Sequence, residues 1–206
     1  VVTPGDVLAA FVDCEHRGSA IPTLVEFGPN AGNYAFLMLI YSNVAQGETV
    51  TFKFYDSETD AVYLITETVD FVSDMIEGIY EAIPSRKLDS DTCQKFNYQT
   101  GNYKDKPCHI ANFFDKDYNK VAQKLRFQDK SFLWLGDTDK ITLFGQNLWR
   151  DGGKTVIITE GEIDCLSVSK VQNNRYPVVS VPSGASSAKK YIKQELEWLS
   201  KFENIV

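Results

Sequence analysis

Paired cysteine, histidine and methionine are what this 206-residue chain has least of. It holds four cysteines, two histidines and two methionines. Cys14, Cys93, Cys108 and Cys165 form no C-x-x-C pair, which excludes a zinc ribbon, and their wide spacing gives no disulfide framework. His16 and His109 alone cannot build a histidine-rich metal centre, and Cys108-His109 reads as packing rather than ligation. No zinc is expected. No stretch approaches the ~20 apolar residues of a membrane-crossing helix. The longest apolar run, Ala35 to Tyr41, has the length of a strand, so no membrane contact is expected. No secretory signal is legible at Val1, and a chain that opens in mid-stream leaves an upstream one open. There is no G-x-x-x-x-G-K-[ST], so nothing here reads as a helicase phosphate loop.

Basic residues are scarce in one half only. Residues 1–84 carry 13 acidic and two basic residues (Arg17, Lys53), a net of −11, while the remainder carries 15 acidic and 19 basic, a net of +4. A change of sign near Pro84-Ser85 predicts two independent domains. The expected boundaries are 1–80, a linker over 81–88 within the aperiodic stretch Gly78 to Asp89, and 89–206. An acidic first half has no electrostatic reason to seek nucleic acid, and a basic second half has one.

The first half reads as strands. Val7 to Val12 is a short apolar run closed by a polar turn. Tyr34 to Tyr41 is apolar on both faces, as a covered central strand would be. Val50, Phe52 and Phe54 alternate with polar neighbours, the period of a half-buried strand, and Val62 to Ile65 returns as its hairpin partner across Asp56 to Asp60. That acidic turn lacks the D-x-D-x-D-G order of a calcium loop and reads as a solvated turn. Short strands at this spacing predict an antiparallel β-sandwich. GDVLAAFVD with GETVTFKFYDSETDAVY resembles a β-sandwich repeat of bacterial secreted and surface proteins. That repeat usually has Gly-Glu-Cys-Arg-Gly after its first strand, where this chain has Cys14-Glu15-His16-Arg17-Gly18. The resemblance implies a non-catalytic extracellular binding or adhesion module whose partner the sequence does not name.

The second half holds the stretch with the most chemistry, TVIITEGEIDCLSVS from Thr155 to Ser169. The apolar run Val156-Ile157-Ile158 leads into Glu160-Gly161-Glu162 and then a helical pattern. Glu160 therefore falls at the carboxyl end of a buried parallel strand, where open α/β sheets build their sites. Asp164, four residues on, sits in the first helical turn, and the two carboxylates can hold a divalent metal or move a proton. Upstream, DSDTCQKF reads as a helix entry capped by Ser90, Asn97 to Asp105 as a loop, and Ile110 to Phe114 with Val121 to Phe127 as a hairpin. On its second strand Lys124 and Arg126 share one face, expected to be solvent-facing, and Lys130 extends the basic set. Phe144, Leu148 and Trp149 read as core. Downstream, Tyr176 to Val181 is a short strand, followed by a Ser183-Gly184 turn, a helix with Lys189 running to about Lys201, and a third strand from Glu203.

EGEID followed by PVVSVPSGASSAKK resembles the Toprim primase domain of phage and organellar primase–helicases, and QKLRFQDKSF and LFGQNLW match the same family in order. The resemblance covers about residues 88–206, with a small basic subdomain over 89–150 and the start of the Toprim fold over 151–206. It implies an α+β chain overall: an antiparallel β-sandwich followed by an α/β Toprim-type domain that stops before the family's Asp-x-Asp. It implies a DNA primase fragment, inactive as it stands, that joins ribonucleotides by metal-dependent nucleotidyl transfer. Glu160 and Asp164 would be catalytic, with Glu160 on Mg2+. Lys124, Arg126, Lys130, Gly161, Ser183, Gly184 and Lys189 would contact the nucleotide. The implied partners are ribonucleoside triphosphates and a single-stranded DNA template, in the cytoplasm, although an extracellular place fits the sandwich. A secreted-type module joined to a replication fragment reads as a chimera, a mis-joined reading frame or a concatenated sequence.

Overall fold

In a computed structural model, residues 2–26, 31–44 and 46–206 are described, residue 46 by its backbone alone. The chain divides into two compact units, Val1–Ser73 and Asp74–Val206.

The first unit contains β1 (Val7–Val12), β2 (Glu15–Ala20), β3 (Pro22–Leu24), β4 (Tyr34–Phe36), β5 (Gln46–Asp56) and β6 (Ala61–Val72). An antiparallel sheet runs β2-β1-β5-β6, and β3-β4 forms a two-stranded sheet. The alternation in β5 works as its period demands: Val50 is buried, Phe52 and Phe54 half-buried, Thr51 and Lys53 exposed. The hairpin to β6 turns where Asp56 Oδ1 accepts the Glu58 and Thr59 amides at 2.9 and 3.3 Å. Side-chain capture of the backbone of this kind is what makes aspartate a turn residue. Phe36 meets Phe54 edge-on, ring centroids 6.0 Å apart.

The expected strand over Tyr34 to Tyr41 stops at Phe36. Leu37 and Leu39 are 68% and 74% exposed, so this apolar run is not a covered central strand. Past Phe36 the chain crosses Gly18, where a Cβ would lie 2.2 Å from the Leu39 carbonyl oxygen. It rejoins the sheet by one bond, Tyr41 N–H to the Arg17 carbonyl at 2.9 Å. Passage over a glycine takes the place of ladder pairing.

Asp6 is buried (1% exposed). Its carboxylate accepts the amides of Thr3 at 2.7 Å and Ser57 at 2.9 Å, with the Ser57 hydroxyl also at 2.9 Å. Bonds from Thr3 and then Ser57 hold its pKa down to about 2. A carboxyl lowered on folding stabilises the folded form above its unfolded value of about 3.9, and that stability goes as pH falls through the folded value. The first unit should therefore lose stability between about pH 4 and pH 2, and Asp6→Asn should flatten that slope. Chemical denaturation followed against pH reads this directly. An unchanged slope in Asp6→Asn would remove Asp6 as the cause.

The second unit holds α1 (Ser90–Lys95), β7 (Tyr98–Tyr103), β8 (Lys106–Phe114), β9 (Lys120–Phe127), β10 (Phe132–Gly136), β11 (Gly153–Thr159), α2 (Glu162–Val171), β12 (Val178–Ser180), α3 (Ala188–Gln194), α4 (Leu196–Leu199) and β13 (Phe202–Ile205). An antiparallel sheet runs β10-β9-β8-β7 and a parallel sheet β12-β11-β13. One core cluster joins them: Phe96, Tyr98, Phe113, Phe144, Val156, Leu166 and Val178 belong to it.

Several local expectations change. Asp89, not Ser90, caps α1, accepting the Thr92 amide at 2.9 Å. The expected loop over Asn97 to Asp105 is largely β7, paired along β8 from Tyr98↔Ala111 to Tyr103↔Lys106. Its polar residues find partners or water there: Gln99 Nε2 donates to Glu77 Oε2 at 3.1 Å and to the Gly78 carbonyl at 3.3 Å, and Asn102 is exposed. The helix expected to run to Lys201 breaks at Glu195 into α3 and α4.

The stretch expected as a linker is tied into the second unit. Ile76 N–H donates to Gln123 Oε1 at 2.8 Å, and Ile79 exchanges two backbone bonds with Thr100 at 2.9 Å. Ile83 and Leu88 pack in that unit's core, and Lys170 Nζ donates to the Lys87 carbonyl at 2.6 Å. The charge step misplaced the boundary because Glu77, counted with the acidic half, pairs with Lys120 and Gln99 of the second. Limited proteolysis should first cut near Ser73-Asp74, with 78–89 resistant, since backbone bonded in bridges resists local opening. A first cut at 78–89 would contradict this division.

Candidate functional site

Parallel strand β11 lies between β12 and β13, with Val156 buried and Ile157 and Ile158 half-buried, and it delivers the chain to Glu160. Gly161 is the N-cap of α2 in extended conformation, with no side-chain cap. A Cβ at Gly161 would stand 3.5 Å from Asp164 Oδ2, and one at Gly184 3.7 Å from Glu160 Oε1. The first position has room for a side chain. The second, at φ +74°, favours glycine by its backbone alone. The fold thus brings the Glu160 carboxylate against the Ser183-Gly184 turn and Asp164 against the entry to α2. Both carboxylates are exposed.

Glu162, the first residue of α2, is buried. Its Oε1 accepts from Lys124 Nζ at 2.8 Å, and the same ammonium donates to the Pro182 carbonyl at 2.7 Å. Lys124 is 9% exposed and Glu162 8%. The ammonium also lies 4.7 Å from the centre of the Phe132 ring and 5.8 Å from that of Trp134. One cation therefore ties β9, the β11–α2 turn and the exit from β12. This corrects the expectation that Lys124 faces solvent. A period of two fixes which residues share a face but not whether that face is covered, and here the turn before α2 covers it.

Arg126 is half-buried, its guanidinium 5.8 Å from the same Phe132 ring. It sits across from His109 in the β8–β9 register. The His109 imidazole stacks on Tyr98 at 5.6 Å, and its Nδ1 has no hydrogen-bond partner among the described residues. Burial lowers the His109 pKa first, and the Arg126 and Arg86 charges lower it further. Burial pushes the Tyr98 hydroxyl far up, with Glu162 adding to it. Cys165 is buried and its thiol is raised well above the ordinary value, chiefly by burial, so it is an inert core group. Cys108 packs with Ile110 and Leu125, its thiol raised by burial to about 11.

Lys130 occupies the β9–β10 turn at φ +67° and is exposed. Ser183 and Lys189 are exposed too, Lys189 in the first turn of the seven-residue α3, whose N-cap Ser187 makes no side-chain cap bond. Glu160, Asp164, Gly161 and Gly184 are thus gathered at the β11–α2 turn, with Lys124 beneath it. Sequence reading missed Glu162. The available signal was an acid at the first helical position, where the helix dipole favours negative charge. Among the described residues no three histidine, cysteine or acidic side chains gather to hold a metal ion.

Comparison with known proteins bears on this unit. The family model for the bacteriophage T7 DNA helicase/primase, N-terminal α+β fold, matches residues 78–136. The second unit is similar to phage primases. A DNA helicase/primase of Enterobacteria phage T3 is 38% identical over 129 residues, 63% of this chain and 23% of that protein. The crystal structure of the primase fragment of the bacteriophage T7 primase–helicase superposes with a TM-score of 0.58 at 40% identity, over 61% of this chain and 52% of that one. A second solved structure matches at the same TM-score and identity and 64% coverage of its chain. It is of the T7 lagging-strand DNA polymerase interacting with primase domains of two subunits bound to an RNA/DNA hybrid and dTTP. The chain spans about a quarter of the phage T3 relative and half or more of the solved chains. The phage primase reading of the second half is thus supported at the level of similarity over a shared α+β segment.

Proposed function

We propose that the second unit is the nucleotide-handling part of a template-directed DNA primase with a Toprim-type sheet, acting in the cytoplasm of an infected cell. The observation that carries this is the Glu160 carboxylate at the carboxyl end of a parallel strand, against a Gly184 turn and two residues before the buried Lys124–Glu162 pair, in a chain 38% identical over 129 residues to a phage helicase/primase. Arg126 and Lys130 are the cations available to a triphosphate, Arg126 as a planar fork and Lys130 as a point charge. Gly161, Ser183, Gly184 and Lys189 border the turn where the template or phosphates would lie. Lys124 serves by holding the turn. Glu160 and Asp164 are the carboxylates that would meet Mg2+, which supplies charge neutralisation when bound. Two carboxylates are an incomplete set, so no step is assigned to the ion. The first unit, taken as a β-sandwich closed by Phe36 on Phe54, is proposed as a binding or spacing module.

An NMR titration with ATP tests the reading. Two ion pairs near a protein surface, each worth ~4 kcal/mol before desolvation and ordering losses, leave an expected net of about −4 kcal/mol and a dissociation constant near 1 mM. Shifts should centre on Arg126, Lys130 and Gly161 and fade above roughly 0.15 M salt. Arg126→Ala with Lys130→Ala should abolish them without loss of fold, and Glu160→Ala should remove only their dependence on magnesium. Binding of ATP by the double variant at the parent's strength would sink this assignment.

A further inference from the structure

We propose that a second pocket of this unit, away from the β11–α2 turn, binds a guanidinium group, and that Glu195 recognises it. Glu195 follows α3 and is 2% exposed. Its two oxygens are unequally served. Oε2 accepts from Gln146 Nε2 at 2.8 Å, and the oxygen of that amide is itself committed to the Leu143 N–H at 3.2 Å. Oε1 is buried and accepts no hydrogen bond from the described residues. The cation facing it, Lys116 Nζ, stands 3.9 Å off at the end of a side chain 64% exposed. A carboxylate withdrawn from water needs hydrogen bonds as well as a counter-charge, and this oxygen has only a long ion pair to an exposed lysine.

Glu195 lines a cavity of about 180 Å³, room for several water-sized groups. Four carboxylates and two lysines line that cavity, a net of two negative charges. The lysines are partly occupied, since Lys201 is paired with Asp151 at 2.7 Å. Trp198, 7% exposed, and Tyr118, 63% exposed, add aromatic surface. A guanidinium is planar and weakly hydrated, stacks on aromatic faces and presents parallel N–H donors to a carboxylate. A metal ion fits less well, because no three ligating side chains converge among the described residues. Nothing here depends on the residues proposed for nucleotide handling.

The test titrates the whole chain at constant ionic strength with methylguanidinium, N-acetyl-arginine amide and methylammonium, following the Trp198 indole and Gln146 side-chain resonances by NMR. Saturable shifts are expected with the guanidinium probes, weaker ones with methylammonium, and about a tenfold loss of affinity in Glu195→Gln. If the arginine amide binds as well as methylguanidinium, the site takes the arginine side chain of a partner protein; if only methylguanidinium binds, it takes a free small cation. Lys116→Ala, a change at an exposed side chain, keeps the fold and should bind about twofold tighter, since it removes a competing ammonium. Shifts that never saturate, or that persist in Glu195→Gln, overturn the proposal. So does equal or weaker binding by Lys116→Ala.

Discussion

Lys124→Ala should lower the stability of the second unit by about 3 kcal/mol, the low end of the cost of removing one partner from a buried ion pair. The cause is the Glu162 carboxylate, 8% exposed in the parent, which loses its ammonium partner. The Pro182 carbonyl loses its donor at the same time. For a unit of this size, spanning Asp74–Val206, the melting temperature should fall by roughly 10 °C. Glu162→Gln should cost less, because the amide oxygen still accepts from the ammonium and the Pro182 carbonyl keeps its donor. Lys124→Met with Glu162→Leu should recover most of the loss, since well-packed apolar groups often replace a buried pair at no net cost. Thermal unfolding of the three variants checks this. A melting temperature for Lys124→Ala within a degree or two of the parent would mean that the lysine is hydrated and the pair contributes nothing. The same result bears on function: a nucleotide-binding defect in Lys124→Ala is interpretable only once the loss of fold has been measured.

Phe144→Ala should be larger, about 4 kcal/mol, within the range for deleting a fully buried phenylalanine. Phe144 is 1% exposed and its ring lies 5.9, 6.4 and 5.4 Å from Phe96, Tyr98 and Phe113. Its backbone pairs with Ser180 beside β12 at 3.0 and 3.1 Å. It therefore joins the antiparallel sheet, α1 and the parallel sheet in one core, and its removal should destabilise all three together. Hydrogen exchange on Phe144→Ala should show β8 and β11 amides losing protection by the same factor. If β11 alone loses protection, the two sheets are separate cooperative units and the shared core does not couple them.

Much of the second unit was legible because its signals are local. An apolar run followed by Glu160-Gly161 and a helical pattern can be read without knowing what packs on it, and Glu160 stands where that order puts it, at the end of β11. The hairpin of β8 and β9 was equally open to reading, since apolar runs and an Asp115-to-Asn119 turn are properties of neighbours in sequence. β1 agrees with the reading of Val7 to Val12 for the same reason.

The readings that failed depended on partners distant in sequence. The acidic run through Glu77 pointed to one domain, while the hydrogen bonds of Ile76 and Ile79 belong to another. Charge is summed along the chain, but a boundary is set by which backbone groups find partners, and the partner of Ile76 lies 47 residues away. Lys124 is the sharper case. By itself the sequence determined that Lys124 and Arg126 share a face of a strand, because the side-chain period of a strand is two whatever surrounds it. Only the tertiary structure decided that Glu162 and Pro182 close over that face, making one cation a buried strut and leaving the other half-buried beside it. Burial depends on where three separated segments meet, and no local pattern encodes that meeting.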